Sequence, residues 1–228
     1  MNDLKQKVGP LELNLLNSFP KIKRDIEQRK KNKDLNRKLA LKFEKEYFDG
    51  TREQGYGGYY YDGRWVGIAK KLIDIFKLDN NSKILDVGCA KGFLLHDLYE
   101  INPTFELHGV EISKYAIKNS KSTVTKFIKN ISCENLPYPD NYFDCVVAIN
   151  TIHNLNMEGC IKSIKEIQRV SNGNAFIQVD AYRNDEELES FKDWMLTAQT
   201  YMKPQEWLNI FKETGYNGYY FWTILEVQ

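Results

Sequence analysis

The chain has 228 residues, 42% of them hydrophobic, and a formal net charge of +1. That length buries one core with an accessory segment, and near-neutrality excludes a global field steering the protein to nucleic acid or membrane. Apolar runs are too short to span a bilayer, the first ten residues lack a signal-peptide core, and Cys89, Cys133, Cys145 and Cys160 show neither a CxxC pair nor metal-ligand spacing. Free thiols in a cytoplasmic protein, with no metal site, are the expectation.

Residues 21–46 carry eleven Lys or Arg and five Asp or Glu, with sparse apolar positions at Ile22, Ile26, Leu35, Leu39 and Phe43. The pattern predicts one or two helices with a narrow buried stripe and a solvated charged face. Residues 48–65, FDGTREQGYGGYYYDGRW, hold five glycines and cannot be a regular helix. A helix is expected from Trp65 to about Leu78.

Strand and helix then alternate. Strands are predicted at Lys83–Gly88, Phe105–Val110, Val124–Lys129 (weakly), Phe143–Asn150, Ala175–Ala181 and Tyr219–Val227. Helices are predicted at Phe93–Glu100, Ser113–Ser120, Met157–Val170 and Pro204–Glu213. Ser113 is an N-cap, and Pro204 and Gly215 bracket the last helix. The near-continuous apolar character of Phe143–Asn150 suits a strand covered on both faces. The fold class is therefore α/β: a doubly wound, Rossmann-like, mostly parallel sheet with helices on both faces. Residues 1–63 form an N-terminal helical lid, 64–228 the main domain, and about 182–203 a cap insertion.

The sharpest local signal is Ile84-Leu85-Asp86-Val87-Gly88-Cys89-Ala90-Lys91-Gly92. A strand ends at Gly88 and a helix starts near Gly92, which places a ligand at the carboxyl end of the strand. A dinucleotide fingerprint fails at Ala90 and Phe93, and a GxxxxGK[ST] phosphate loop is absent. Asp86 would repel phosphate and attract an ammonium group. Glu111 ends the next strand, 19 residues past Gly92, where an acid accepts both hydroxyls of a ribose. One acid for an amine and one for a ribose describe an aminoacyl-nucleoside.

These residues resemble the cofactor motifs of the class I S-adenosylmethionine (SAM)-dependent methyltransferases, of the small-molecule group. Ser132-Cys133-Glu134-Asn135-Leu136-Pro137-Tyr138-Pro139-Asp140-Asn141-Tyr142-Phe143-Asp144 is similar to that family's DAENLPFPDNSFD segment, with Ser132 replacing the acid that binds the adenine amino group. Ala148-Ile149-Asn150-Thr151-Ile152-His153 resembles the segment lining the sulfonium and the acceptor. The resemblance covers roughly residues 64–180 and implies SAM as cofactor. It implies cofactor contacts from Asp86, Gly88, Cys89, Ala90, Gly92, Glu111, Ile112, Ser132, Cys133, Glu134 and Asn150. The family usually finishes with an antiparallel hairpin, whereas one clear strand follows Gly215 here.

Two aromatic segments outside the common core are expected at the substrate. In Gly55–Trp65, Arg64 is the candidate for the SAM carboxylate, with Tyr61 beside it, and Tyr59 belongs to a tyrosine wall near the sulfonium. In 180–201, Asp180 reaches the same sheet edge as Asp86 and Glu111. Should the acceptor be a hydroxyl, His153 is the first candidate base, with Asp180 and Tyr59 in reserve. The acceptor expected is a hydroxyl or amine of a small polar metabolite, such as a sugar or glycan precursor. Two alternatives stay open. One is an RNA or protein methyltransferase docking through residues 21–46, although nucleic acid is disfavoured because an NPPY-type tetrapeptide is absent. The other is a non-catalytic SAM-binding module. A homodimer is also left open.

Overall fold

The computed structural model describes residues 9–20 and 24–225. Met1–Val8, the predicted stripe residue Ile22, and the last residues of the Tyr219–Val227 strand lie outside them. The elements run β1 (Leu11–Glu12), α1 (Ile26–Lys30), α2 (Lys33–Ala40), α3 (Lys45–Asp49), α4 (Val66–Phe76), β2 (Lys83–Val87), α5 (Phe93–Ile101), β3 (Glu106–Glu111) and α6 (Lys114–Lys118). They continue with β4 (Ile128–Asn130), β5 (Cys145–Ile149), α7 (Met157–Val170), β6 (Ala175–Ala181), α8 (Asp185–Trp194), α9 (Pro204–Thr214) and β7 (Tyr219–Ile224).

The sheet has seven strands in the order β1-β7-β6-β5-β2-β3-β4. Every pairing is parallel. The family's antiparallel last strand therefore has no counterpart among the described residues. β7 lies directly beside β6, and β1 closes that edge. Leu15 is fully buried among Ile68, Leu72 and Phe76, so residues before 63 supply part of the core.

Helices cover both faces. On one, Ile68 and Leu72 of α4 pack with Leu94, Leu95 and Leu98 of α5 against Ile84 and Val147. On the other, Ile164 and Ile167 of α7 join Trp207 and Phe211 of α9 over Leu85, Val146 and Ile177. Each such side chain contributes roughly 1.5–3 kcal/mol on burial. Caps fix the boundaries. The Ser113 hydroxyl accepts from the Ala116 N–H, the Asn156 carboxamide from Gly159 and Asn184 from Glu187. Gly215 takes the left-handed conformation that ends α9.

Two expectations are corrected. The predicted strand Val124–Lys129 begins as a 3-10 turn, Thr125–Phe127, and pairs only from Ile128. The stripe expected in residues 21–46 is only partly found: Ile26, Leu39 and Phe43 are half-buried. Leu35 is 58% exposed, while Arg29, Asn36 and Ala40 are buried. Polar bonding explains the difference, because the face holding Arg29, Lys33 and Arg37 docks on the cap insertion. The Lys33 ammonium donates to the Asp193 carbonyl at 2.6 Å, and Arg37 donates to the Ala198 carbonyl at 3.2 Å and to the Met195 sulfur. Lys30 pairs with Asp193 at 3.0 Å. N-terminal helices and cap thus form one roof over the strand ends.

Candidate active site

A cavity of about 1910 Å³ opens over the carboxyl ends of β2, β3 and β5. Single-ligand pockets run to roughly 1,000 Å³, so there is room for two molecules. Asp86, Gly88, Cys89, Ala90, Glu111, Ile112, Ser132, Cys133 and Asn150 all line it.

The β2–α5 turn is shaped by its backbone. Gly88 has φ +73°, and a Cβ there would lie 2.2 Å from the Thr151 side chain, so glycine is required by close approach as well as by handedness. Gly92 also has a left-handed φ. A Cβ on it would touch Ile128 and Val124 at 3.0 Å, which is what lets α5 sit tight on the sheet. Gly92 itself stays behind the cavity wall.

Glu111 is buried, and its carboxylate is oriented by two backbone donors, Ala90 N–H to Oε2 and Ser113 N–H to Oε1, each at 2.8 Å. Each oxygen keeps a lone pair for a further donor. Burial raises the Glu111 pKa against those hydrogen bonds. Asp86 is 6% exposed, and burial together with the Glu111 charge pushes its pKa up to about 7. Two adjacent buried acids make this end of the cavity receptive to a cation. The cavity lining also holds orphaned acceptors: the side-chain oxygens of Asn154 and Gln178 are buried without hydrogen-bond partners. A polar ligand with several donors fits this surface.

The remaining expected contacts divide. Ser132 lines the cavity; its hydroxyl donates to Glu134 at 3.0 Å and accepts from the Glu134 N–H at 3.3 Å. Glu134 stands behind Ser132, outside the cavity lining, against Gly159. Ile112 is 58% exposed and offers an apolar face. Asn150 adopts φ +53°, and its Oδ1 accepts from the Thr223 hydroxyl at 2.8 Å. Arg64 lines the cavity with its guanidinium clamped to Asp62, at 2.6 Å, and over the Phe19 ring. Tyr61 is a correction. It lies outside the cavity lining because its hydroxyl donates to Asp97 while the ring packs on Phe93 and His96.

The candidate bases are also redistributed. His153 is buried, and its Nδ1 accepts the Asp180 backbone N–H at 3.1 Å. A backbone N–H only donates, so the ring proton sits on Nε2, which faces Asp180 Oδ2 at 3.3 Å. The one acceptor nitrogen is occupied, and burial lowers the His153 pKa. Asp180, the acid beside it, has its pKa raised by burial, with His153 and Arg24 opposing. Tyr59 lines the cavity and stacks on Phe93 at 4.8 Å. Burial, then Asp86, raises its pKa, so its hydroxyl stays protonated and cannot serve as a base.

Sequence reasoning missed Asp49, Lys91 and Tyr115. Lys91 follows the turn residue Ala90 and is 6% exposed; its ammonium donates to both Asp49 oxygens at 2.7 Å and to the Tyr59 carbonyl at 3.1 Å. The Tyr115 hydroxyl donates to Asp49 at 2.8 Å. This latch ties α3 and the tyrosine-rich loop to the cofactor turn. The adjacency of Lys91 to the glycine turn was the available signal.

The family model described as "Methyltransferase domain" matches residues 78–215, more than half of the chain and the whole stretch from β2 through α9. The chain belongs to the class I SAM-dependent methyltransferase family. Relatives of this chain include a sterol 24-C-methyltransferase of Gibberella zeae, 28% identical over 46% of this chain and 30% of that protein. Another is the tRNA (carboxymethyluridine(34)-5-O)-methyltransferase of Arabidopsis thaliana, 28% identical over 64% of this chain and 34% of that protein. The chain thus spans about a third of the length of these curated relatives. The solved YcgJ protein of Bacillus subtilis aligns with TM-score 0.49 at 18% identity, over 64% of this chain and 66% of that one. SAM is the cofactor the family implies, and the acidic, donor-hungry wall suits its ammonium and ribose.

The raised Asp86 pKa gives a pH prediction. An ammonium ligand prefers the carboxylate, so S-adenosylhomocysteine binding should release a proton near pH 7. Affinity should fall about tenfold for each pH unit below that. Calorimetry in buffers of different ionisation enthalpy checks this; pH-independent binding between 5 and 8 would contradict it.

Proposed function

We propose that this methyltransferase moves the methyl group of SAM to a hydroxyl or amine of a small polar molecule held beneath the roof. The observation that carries this reading is the adjacency of two cavities. The large one, beside Asp86 and Glu111, shares Asn150, Tyr56 and Thr223 with a side chamber lined by His153 and Asp180 and covered by the cap. SAM supplies an electrophilic methyl group on a sulfonium. The protein's part is alignment and exclusion of water. Glu111 would hold the ribose, Asp86 the amine, and Asn150 stands where the two compartments join.

For a hydroxyl acceptor, Asp180 would take the proton, and His153 positions Asp180 through its Nε2–H. Asp180→Asn should then lower kcat by roughly 10²-fold or more with S-adenosylhomocysteine affinity unchanged. Full turnover in that variant would remove Asp180 from the chemistry.

The tRNA relative favours a second reading, an RNA acceptor. Against it, three of the basic residues expected to dock RNA, Arg29, Lys33 and Arg37, turn inward and hold the cap. Labelled SAM incubated with desalted metabolite extract and, separately, with total RNA decides the matter. Label entering RNA alone would overturn the small-molecule reading.

A further inference from the structure

The side chamber of about 220 Å³ has an unusual charge balance. Arg24, Arg29 and Arg52 line it, and among the described residues Asp180 is the one acid that does. The three guanidiniums gather around one ring, Trp194, at 5.8, 4.1 and 5.0 Å from its centroid. They converge from separate places in the chain: Arg29 from α1, Arg24 just before it, and Arg52 from the loop after α3.

Arg29 is 5% exposed. One terminal nitrogen donates to the Gly55 carbonyl at 3.1 Å, but its buried Nε has no hydrogen-bond partner. Arg52 spends its Nη1 on the Gly55 and Tyr56 carbonyls. Among the described residues neither Arg29 nor Arg52 has a carboxylate partner. Burying a guanidinium without a counter-charge is costly, as is leaving a donor unmade. The strain shows in the neighbours. Burial and then Arg52 pull the Arg29 pKa down to about 10, and burial with Arg29 and Arg37 brings Lys33 to about 8. A protein that gathers three arginines around one tryptophan and leaves an Nε–H unmatched has built a receptor for an anion.

The chamber shares Arg24, Tyr47, Arg52, Tyr56, Asn150 and Thr223 with the large cavity. An anion in it would lie on the acceptor side of Asn150. Its volume corresponds to about seven waters at roughly 30 Å³ each, enough for one acidic group and the carbon frame that bears it.

We propose that the methyl acceptor carries an anionic group, a phosphate or a carboxylate, bound by Arg29 and Arg52 with Arg24 against Trp194. This deepens the small-molecule reading and rests on it. The test uses the full chain saturated with S-adenosylhomocysteine, titrated with inorganic phosphate and separately with acetate, by calorimetry and thermal shift. Phosphate or acetate should bind wild type and raise its Tm. Arg29→Met and Arg52→Gln should each weaken that binding about tenfold or more, with S-adenosylhomocysteine affinity unchanged. Which anion binds identifies the acid. Arg52→Gln, on a loop, keeps the test decisive if Arg29→Met fails to fold. Three results overturn the proposal: no anion binding, equal binding in the variants, or a parallel loss of S-adenosylhomocysteine, which would give the arginines to the cofactor's own carboxylate. So would an oligoribonucleotide that competes with phosphate. If wild type binds no S-adenosylhomocysteine, the methyltransferase reading fails, and anion titration of the ligand-free chain still scores the arginines separately.

Discussion

Asp86→Asn should make the ligand-free protein more stable while disabling its cofactor site. The Asp86 carboxyl titrates near 7 in the fold against about 3.8 for an ordinary aspartate, because it is buried beside Glu111. The folded state therefore holds this proton more tightly than the unfolded chain. Stability from that preference is complete below pH 3.8 and lost as pH rises to about 7. Above pH 7 the fold carries a charge it would rather not ionise, a cost of about 4 kcal/mol at roughly 1.4 kcal/mol per pH unit. Asparagine keeps the shape and removes the charge. We expect recovery of about 2 kcal/mol at pH 8, a Tm gain of about 4–8 °C, shrinking as pH falls toward 5. The same change removes the ammonium's partner, so S-adenosylhomocysteine binding should weaken by about 1.5–3 kcal/mol, roughly ten- to hundredfold. A variant less stable than wild type at pH 8, or one binding the ligand as well, would show that Asp86 is structural.

Asp49→Ala should have the opposite sign and the larger structural effect. Lys91 is buried beneath the tyrosine loop and relies on Asp49 for its charge. Removing the carboxylate leaves an unpaired buried ammonium, at a cost of about 3–5 kcal/mol, or on the order of 10 °C in Tm. It also frees the Tyr115 hydroxyl and the Tyr59 N–H. Hydrogen exchange should quicken from α3 through residue 60 while β5 and β6 stay protected. Burial works against the Asp49 carboxylate, but Lys91, Tyr115 and Tyr59 together hold its pKa below the usual range. The latch is therefore present above the ordinary aspartate pKa and lost as pH falls below it. Unchanged protection over residues 45–60 would mean that this pair fastens nothing.

Much of the frame was legible because its signals are local. Met157–Val170 and Ala175–Ala181 announce themselves by helical periodicity and by a mostly apolar run, and both are found with those bounds. Asp86 and Glu111 could be paired in advance because parallel strands bring their carboxyl ends to one edge. What escaped depends on contacts distant in sequence. Nothing near Leu11 says that it will pair with Tyr219. Arg29 lies in a run of alternating charges that reads as a wetted helix face. Its burial is decided by Trp194 and Gly55, which no periodicity in residues 21–46 can reveal. His153 could be singled out from its place after the fourth core strand, yet its usefulness as a base turns on which nitrogen the Asp180 N–H occupies.

The roof has two makers. The N-terminal helices and the 184–203 segment meet over the strand ends through Lys30, Lys33 and Arg37 on one side and Asp193, Met195 and Ala198 on the other. Neither contributes a strand to the sheet that carries Asp86 and Glu111. The helical half is fastened to the cofactor turn as well, through Asp49 and Lys91, so a change in the roof reaches the cradle. Each half constrains the other's drift, because a residue altered on one side of the seam must be answered across it.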